Sequence, residues 1–115
     1  MEKNLTASFV TEMRRGSLTL LVLSALHTPH YGYDLLEVLQ EIGVEIEANT
    51  LYPLLRRLEK QGLLDSSWDT SESRPRKYYQ INSAGTEIYR LLLIESDKLQ
   101  QSIKRVQRRN KEERP

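Results

Sequence analysis

The sequence predicts a mainly α-helical domain carrying one small β-hairpin. Three observations lead there. Apolar residues recur at helical spacing over four separate stretches. Two short stretches, 64–70 and 77–81, instead read as strands, and the polar loop Ser71-Glu72-Ser73-Arg74-Pro75 between them has turn chemistry. The 115 residues suffice for one domain, with 38% apolar and 29% charged residues and only five Gly and four Pro. A core this small makes burial against a second copy a natural expectation.

The first helix is expected from about Val10 to Leu26. SLTLLVLSAL, at 17–26, is apolar nearly all round, which suits a helix buried on most sides. Thr28-Pro29 then stops it, because the residue before proline avoids the helical region. A second helix begins near Tyr31-Gly32-Tyr33, with Leu35, Leu36, Leu39 and Ile42 at helical spacing and Glu37 and Glu41 turned outward. Gly43 is placed to end it through a left-handed cap. Val44 to Glu47 alternates apolar and acidic residues, the pattern of a short extended segment.

The third helix is expected to start near Asn49 or Thr50, either of which can cap free backbone donors. Leu51, Leu54, Leu55 and Leu58 share one face; Asn49, Pro53, Arg56 and Lys60 lie opposite, with Tyr52 and Arg57 on the flanks. Pro53 is read as lying in the first turn, where its missing N–H costs little. Gly62 ends this helix. In the hairpin, Leu64, Ser66 and Trp68 share one side of the first strand, and Lys77, Tyr79 and Ile81 one side of the second. Tyr79 is expected inward and Tyr78 outward. Two strands alone are barely stable, so the hairpin must lean on the helices.

A last helix opens at Ser83, read as its cap, and continues into the basic tail. In heptad lettering Tyr89, Ser96 and Ile103 take a and Leu92, Leu99 and Val106 take d. Leu91, Leu93 and Ile94 widen the apolar girth at its start, so that end is expected to dock on the core. A seam projecting past a small domain calls for a partner.

Composition removes several function classes. There is no Cys, which excludes disulfides, thiol catalysis and Cys-ligated zinc. The two His, His27 and His30, flank Pro29 with no further ligand clustered nearby, so no metal site or cofactor is expected. No nucleophile elbow, Gly-rich phosphate loop or metalloprotease motif occurs, and an enzyme is not expected. Residues 1–9 are mostly polar, and the longest apolar run, Leu18 to Leu26, is far shorter than the ~20 residues a bilayer requires. A soluble, cytoplasmic chain is the expectation.

The net charge of +1 hides an uneven distribution. Residues 16–55 carry Asp34, Glu37, Glu41, Glu45 and Glu47 and no Lys or Arg, whereas 56–80 and the tail 104–115 are net basic. Such an arrangement faces a polyanion with one side only. The acidic second helix is expected to point away from it or to pair with basic neighbours.

Helix, helix, turn, helix, hairpin and final helix is the order of a winged helix-turn-helix with an added C-terminal dimerisation helix. Residues 1–82 would form the DNA-binding domain and 83–115 the dimerisation helix and basic tail, together one compact unit. A helix fits the major groove of B-DNA, and the face opposite its apolar stripe must offer donors. That face offers Asn49, Thr50, Tyr52, Arg56 and Lys60, with Pro53 among them and Arg57 beside them; the hairpin tip adds Arg74, Arg76 and Lys77. Each has a plainer reading. The helix cations could simply solvate an exposed face, Arg57 could pair with Glu59 or another acidic side chain, and Tyr52 could pack the helix start. Tyr31 and Tyr33 are read as packing the turn before the second helix.

YGYDLL at 31–36, NTLYPLLRRLEKQGLL at 49–64 and RPRKYYQINSAG at 74–85 together resemble the PadR family of bacterial transcriptional regulators, in its smaller branch with a single short C-terminal helix. The resemblance spans about residues 10–110. It implies a homodimeric repressor paired through the first and last helices and bound to a palindromic operator. It also implies DNA contacts from Thr50–Pro53 and from Arg76–Tyr79. Some members release DNA on binding small aromatic or drug-like molecules at the dimer interface, and in one branch a Trp on the last helix helps form that site. Here the only Trp, Trp68, lies on the first wing strand. The dimer interface is expected at Leu18, Tyr89, Leu92, Leu99, Ile103 and Val106, enclosing a space for an apolar or aromatic effector. The alternative is a winged-helix module that binds another protein, through the acidic stretch, without specific DNA binding.

Overall fold

A computed structural model describes residues 3–113. The elements run α1 (Lys3–Ala25), β1 (His30–Tyr31), α2 (Gly32–Glu41), α3 (Ala48–Lys60), β2 (Leu64–Asp69), β3 (Arg76–Ile81) and α4 (Ser83–Glu112). The mainly helical, winged arrangement expected from the sequence is present. The sheet has three strands instead of two, in the antiparallel order β1-β3-β2. The added strand is only two residues long, pairing His30 with Tyr79 and Tyr31 with Tyr78. Periodicity cannot register so short a strand.

The core forms where α1, α2, α3 and the sheet meet. Val22, Leu23 and Leu26 of the first helical stretch pack with Leu35, Leu39, Ile46, Leu64, Tyr79 and all four leucines of the α3 stripe. Backbone bonds lock the parts together: Ile81 N–H donates to Leu26 C=O at 2.9 Å and Asn82 N–H to Leu63 C=O at 3.2 Å. Ile42 departs from its expected face, standing exposed as the C-cap of α2. Gly43 and Gly62 both adopt positive φ, 93° and 82°. Each closes a Schellman turn, in which Val44 N–H reaches Leu39 C=O and Leu63 N–H reaches Leu58 C=O. Residues 44–47 form no ladder; their alternation serves burial alone, with Ile46 inside and Glu45 and Glu47 outside.

Three boundaries move. α1 begins at Lys3, well ahead of Val10, and everything up to Ser17 is exposed. The cap of α3 is Glu47, with no side-chain bond, so Asn49 and Thr50 lie inside the first turn. Pro53 consequently falls beyond the first turn, and the Asn49 carbonyl lacks its i+4 donor. For α4 the cap is Asn82 instead of Ser83: its side chain accepts the Gly85 N–H at 2.9 Å. Gly85 is buried so tightly that a Cβ there would meet the Leu63 carbonyl oxygen at 2.2 Å.

Only the start of α4 docks on its own chain. Tyr89 lies edge-on to His27 with centroids 4.7 Å apart, and Tyr89 and Leu92 rest against the core. Leu91, Leu93 and Ile94, expected to dock as well, are exposed, because that side of α4 faces no other element of the chain. The helix then projects freely. The principal extents are 70 × 35 × 22 Å, and the radius of gyration of 17.9 Å exceeds the ~13 Å of a compact domain of about this length.

Candidate nucleic-acid interface

α3 presents two chemically opposed faces because its apolar residues repeat at helical spacing. Leu51, Leu54, Leu55 and Leu58 are buried, and Asn49, Thr50, Pro53, Arg56, Arg57 and Lys60 are all exposed. Among the described residues Arg56, Arg57 and Lys60 make no ion pair, and neither does Arg74 in the loop between β2 and β3. Four cations therefore stand free on the helix and wing. Arg76 lies 3.8 Å from Glu72 and 5.2 Å over the Tyr31 ring, its side chain still half exposed.

Lys77, expected on the same surface, lies beside Arg74 and Arg76 but carries an ion pair. Its Nζ lies 2.8 Å from Glu59 Oε1, and both side chains are partly buried. Ser66 also donates to Glu59, through Oε2. Bonds from Lys77 and Ser66 hold the Glu59 carboxyl below the usual carboxylate range, and the same pairing raises Lys77. Arg57 therefore does not take Glu59 as its partner.

An open cleft of about 980 Å³ lies between the start of α2, α3 and the wing. Tyr31, Tyr33, Tyr52 and Tyr78 line it together with Arg74 and Arg76. The Tyr52 ring packs over Gly32, where a Cβ would meet its Cε1 at 2.8 Å, so this side chain does close the helix start while keeping one edge on the cleft. Tyr31 stacks on Tyr78 with centroids 4.0 Å apart and donates its hydroxyl to Asp69 at 2.7 Å. Tyr78 and Asp69 push the Tyr31 phenol well above its ordinary pKa, and the Tyr31 hydroxyl with Ser71 holds Asp69 at about 2. Tyr33, by contrast, is exposed, with its phenol raised by a bond to Glu37. Tyr79 is buried and Tyr78 faces the other side, as the strand alternation suggested.

The acidic second helix does not turn wholly away: Asp34 and Glu37 line this same cleft. Both have hydrogen-bond partners close by, Asp34 in His30 Nδ1 at 2.5 Å and Glu37 in the Tyr33 hydroxyl; farther along, Glu45 pairs with Arg14 at 3.1 Å. Of the residues expected at the dimer interface, Leu99, Ile103 and Val106 are exposed on the projecting part of α4. Leu18, Tyr89 and Leu92 are half-buried against the chain's own core. Leu18 lines a separate groove with Arg14, Val44 and Ile46, so the structure does not bring it together with Leu99. Sequence reasoning missed Glu59 of α3 and Ser66 and Asp69 of β2 as the groups that hold the wing, though the strand alternation puts Lys77 on the side of Tyr79.

A family model for PadR-like transcriptional regulators matches residues 20–91, which includes α2, α3, all three strands and the docked start of α4. The chain belongs to the PadR-like family of transcriptional regulators. Among curated proteins, transcriptional regulator Rv3488 of Mycobacterium tuberculosis is 35% identical over 75 residues, 64% of this chain and 70% of that protein. Among solved structures, a PadR family transcriptional regulator from Eggerthella lenta is 47% identical with a TM-score of 0.85, over 90% of this chain and 92% of its own. A PadR-like transcription factor from Bacteroides fragilis is 31% identical with a TM-score of 0.75, over 86% of this chain and 98% of its own. The family is one of DNA-binding regulators, not enzymes. No described helix is long and apolar enough to cross a membrane.

Proposed function

We propose that this PadR-like regulator is a cytoplasmic homodimeric repressor that lays α3 into the major groove of a palindromic operator. Asn49, Thr50, Tyr52, Pro53, Arg56, Arg57 and Lys60 would face the duplex from α3, with Arg74 and Arg76 on phosphates or the adjacent minor groove. The observation that carries this reading is the set of exposed, unpaired cations Arg56, Arg57, Lys60 and Arg74 on one helix and its neighbouring wing. Residues 1–82 supply the DNA-binding part and 83–115 the dimerisation helix and tail. The exposed Leu99, Ile103 and Val106 of α4, and Phe9 and Met13 of α1, support pairing of two copies through these helices. That interface is also where an apolar or aromatic effector would act, by coupling α4 packing to the spacing of the two α3 helices.

Mobility shift of the purified protein on its own upstream region, at graded salt, tests the proposal. Binding should survive competitor DNA and weaken steeply as salt rises, because bound phosphates release counterions. No preference over random duplex would contradict it.

A further inference from the structure

Glu59 is the one acidic residue in α3, on the flank between the buried leucine stripe and the exposed cationic face. Its two oxygens act separately. Oε2 accepts from Ser66 of β2, and Oε1 takes Lys77 of β3 at 2.8 Å. A single carboxylate therefore ties both strands of the wing to α3. The Lys77 and Glu59 side chains are 28% and 30% exposed, and the ammonium also lies 5.1 Å over the ring of buried Tyr79. A shielded, charge-assisted pair with a second hydrogen bond fixes geometry in a way that a fully exposed ion pair does not. The opposite face of the wing is held too, by Tyr31 on Tyr78 and Asp69. Arg76, opposite Asp69 and over the Tyr31 ring, sits at the second grip, and Arg74 lies in the loop just beyond it, so the angle of the wing sets where both cations fall.

We propose that Glu59 is a positioning residue for DNA recognition, fixing the wing against α3, and that Lys77 serves this tether instead of contacting a phosphate. The proposal rests on the DNA-binding reading above, and two signs separate it from plain electrostatics. A carboxylate beside DNA repels phosphate, so on charge alone its removal strengthens binding. A tether gives the opposite sign. A lysine on a phosphate contributes about 0.9 to the slope of log affinity against log salt, whereas a tethering lysine contributes none.

The test uses the full chain and the duplex that the wild-type protein enriches most strongly from a random library. Wild type, Glu59→Ala, Lys77→Met, Arg74→Ala and the exchanged pair Glu59→Lys with Lys77→Glu are titrated at several salt concentrations. Amide hydrogen exchange is followed over 64–81 in the free proteins. Glu59→Ala and Lys77→Met should each weaken binding roughly tenfold with the salt slope unchanged, and should speed exchange in the wing. The exchanged pair should recover most of the affinity, and Arg74→Ala should lower the slope by about 0.9. Glu59→Ala binding as tightly as wild type, Lys77→Met lowering the slope, or unaltered wing exchange would each overturn the tether while leaving the DNA-binding reading intact. A wild-type protein that enriches no duplex would overturn both.

Discussion

The Tyr31 hydroxyl lies 2.7 Å from Asp69 Oδ2, joining the residue just ahead of α2 to the far end of β2. The bond bridges a sequence separation that no local pattern spans. It has a pH signature. Asp69 is held at about 2 by Tyr31 and Ser71, below the ~3.9 of an unfolded aspartate. Its stabilising contribution is therefore complete above the unfolded value and lost as pH falls through that range towards 2. The difference in melting temperature between wild type and Asp69→Asn should be largest near neutral pH and close to nothing at pH 2. A gap that stays constant from pH 6 to pH 2.5 would show that ionised Asp69 contributes nothing particular.

The start of α4 gives a comparison of neighbours. Asn82 accepts the Gly85 N–H and donates to the Gly62 carbonyl at 2.9 Å and to Asp65 at 3.1 Å. Asn82→Ala should cost about 1–2 kcal/mol in chemical denaturation. Ser83→Ala, one residue on, should change stability by less than about 0.5 kcal/mol. Equal losses at the two positions would mean that the cap is not where the geometry puts it.

Arg56 stands free on the exposed face of α3, and Arg56→Ala should leave the fold unchanged. If its guanidinium reads a base edge, specific binding should fall by roughly 1–3 kcal/mol and selectivity should relax at one operator position. Binding to operator variants compared side by side provides the readout. A uniform loss over all sequences would place Arg56 on a phosphate.

Leu99 and Ile103 are 59% and 43% exposed within the chain, so charging them does not disturb its own core. The double change Leu99→Glu with Ile103→Glu should keep the far-ultraviolet spectrum and convert a dimer to a monomer in sedimentation. A dimer that persists would move the interface elsewhere.

Much of this was legible in the residues. The leucine stripe of α3, the two glycine stops and the inward Tyr79 follow from local spacing, and local spacing survived folding. What escaped depends on tertiary contact. β1 exists because β3 passes beside His30 and Tyr31, and Gly85 is required because the Leu63 carbonyl and the Ile81 side chain crowd it. Lys77 is the instructive case. Strand alternation had placed it on the same side as Tyr79, and that side faces inward. Its pairing with Glu59 follows from that alternation, while the side chain still lines the cleft beside Arg74 and Arg76. The sequence marks α1 only from about Val10 because the first half of the helix is exposed in the isolated chain and carries no core-facing stripe.

The most direct measurement is capture of genomic DNA fragments by the purified protein, followed by derivation of the enriched motif. A two-fold symmetric motif is expected, with half-sites about one helical turn, ~34 Å, apart, matching two α3 helices held by paired α4 helices. Enrichment of an asymmetric sequence, or of none, would contradict a symmetric pair of recognition helices.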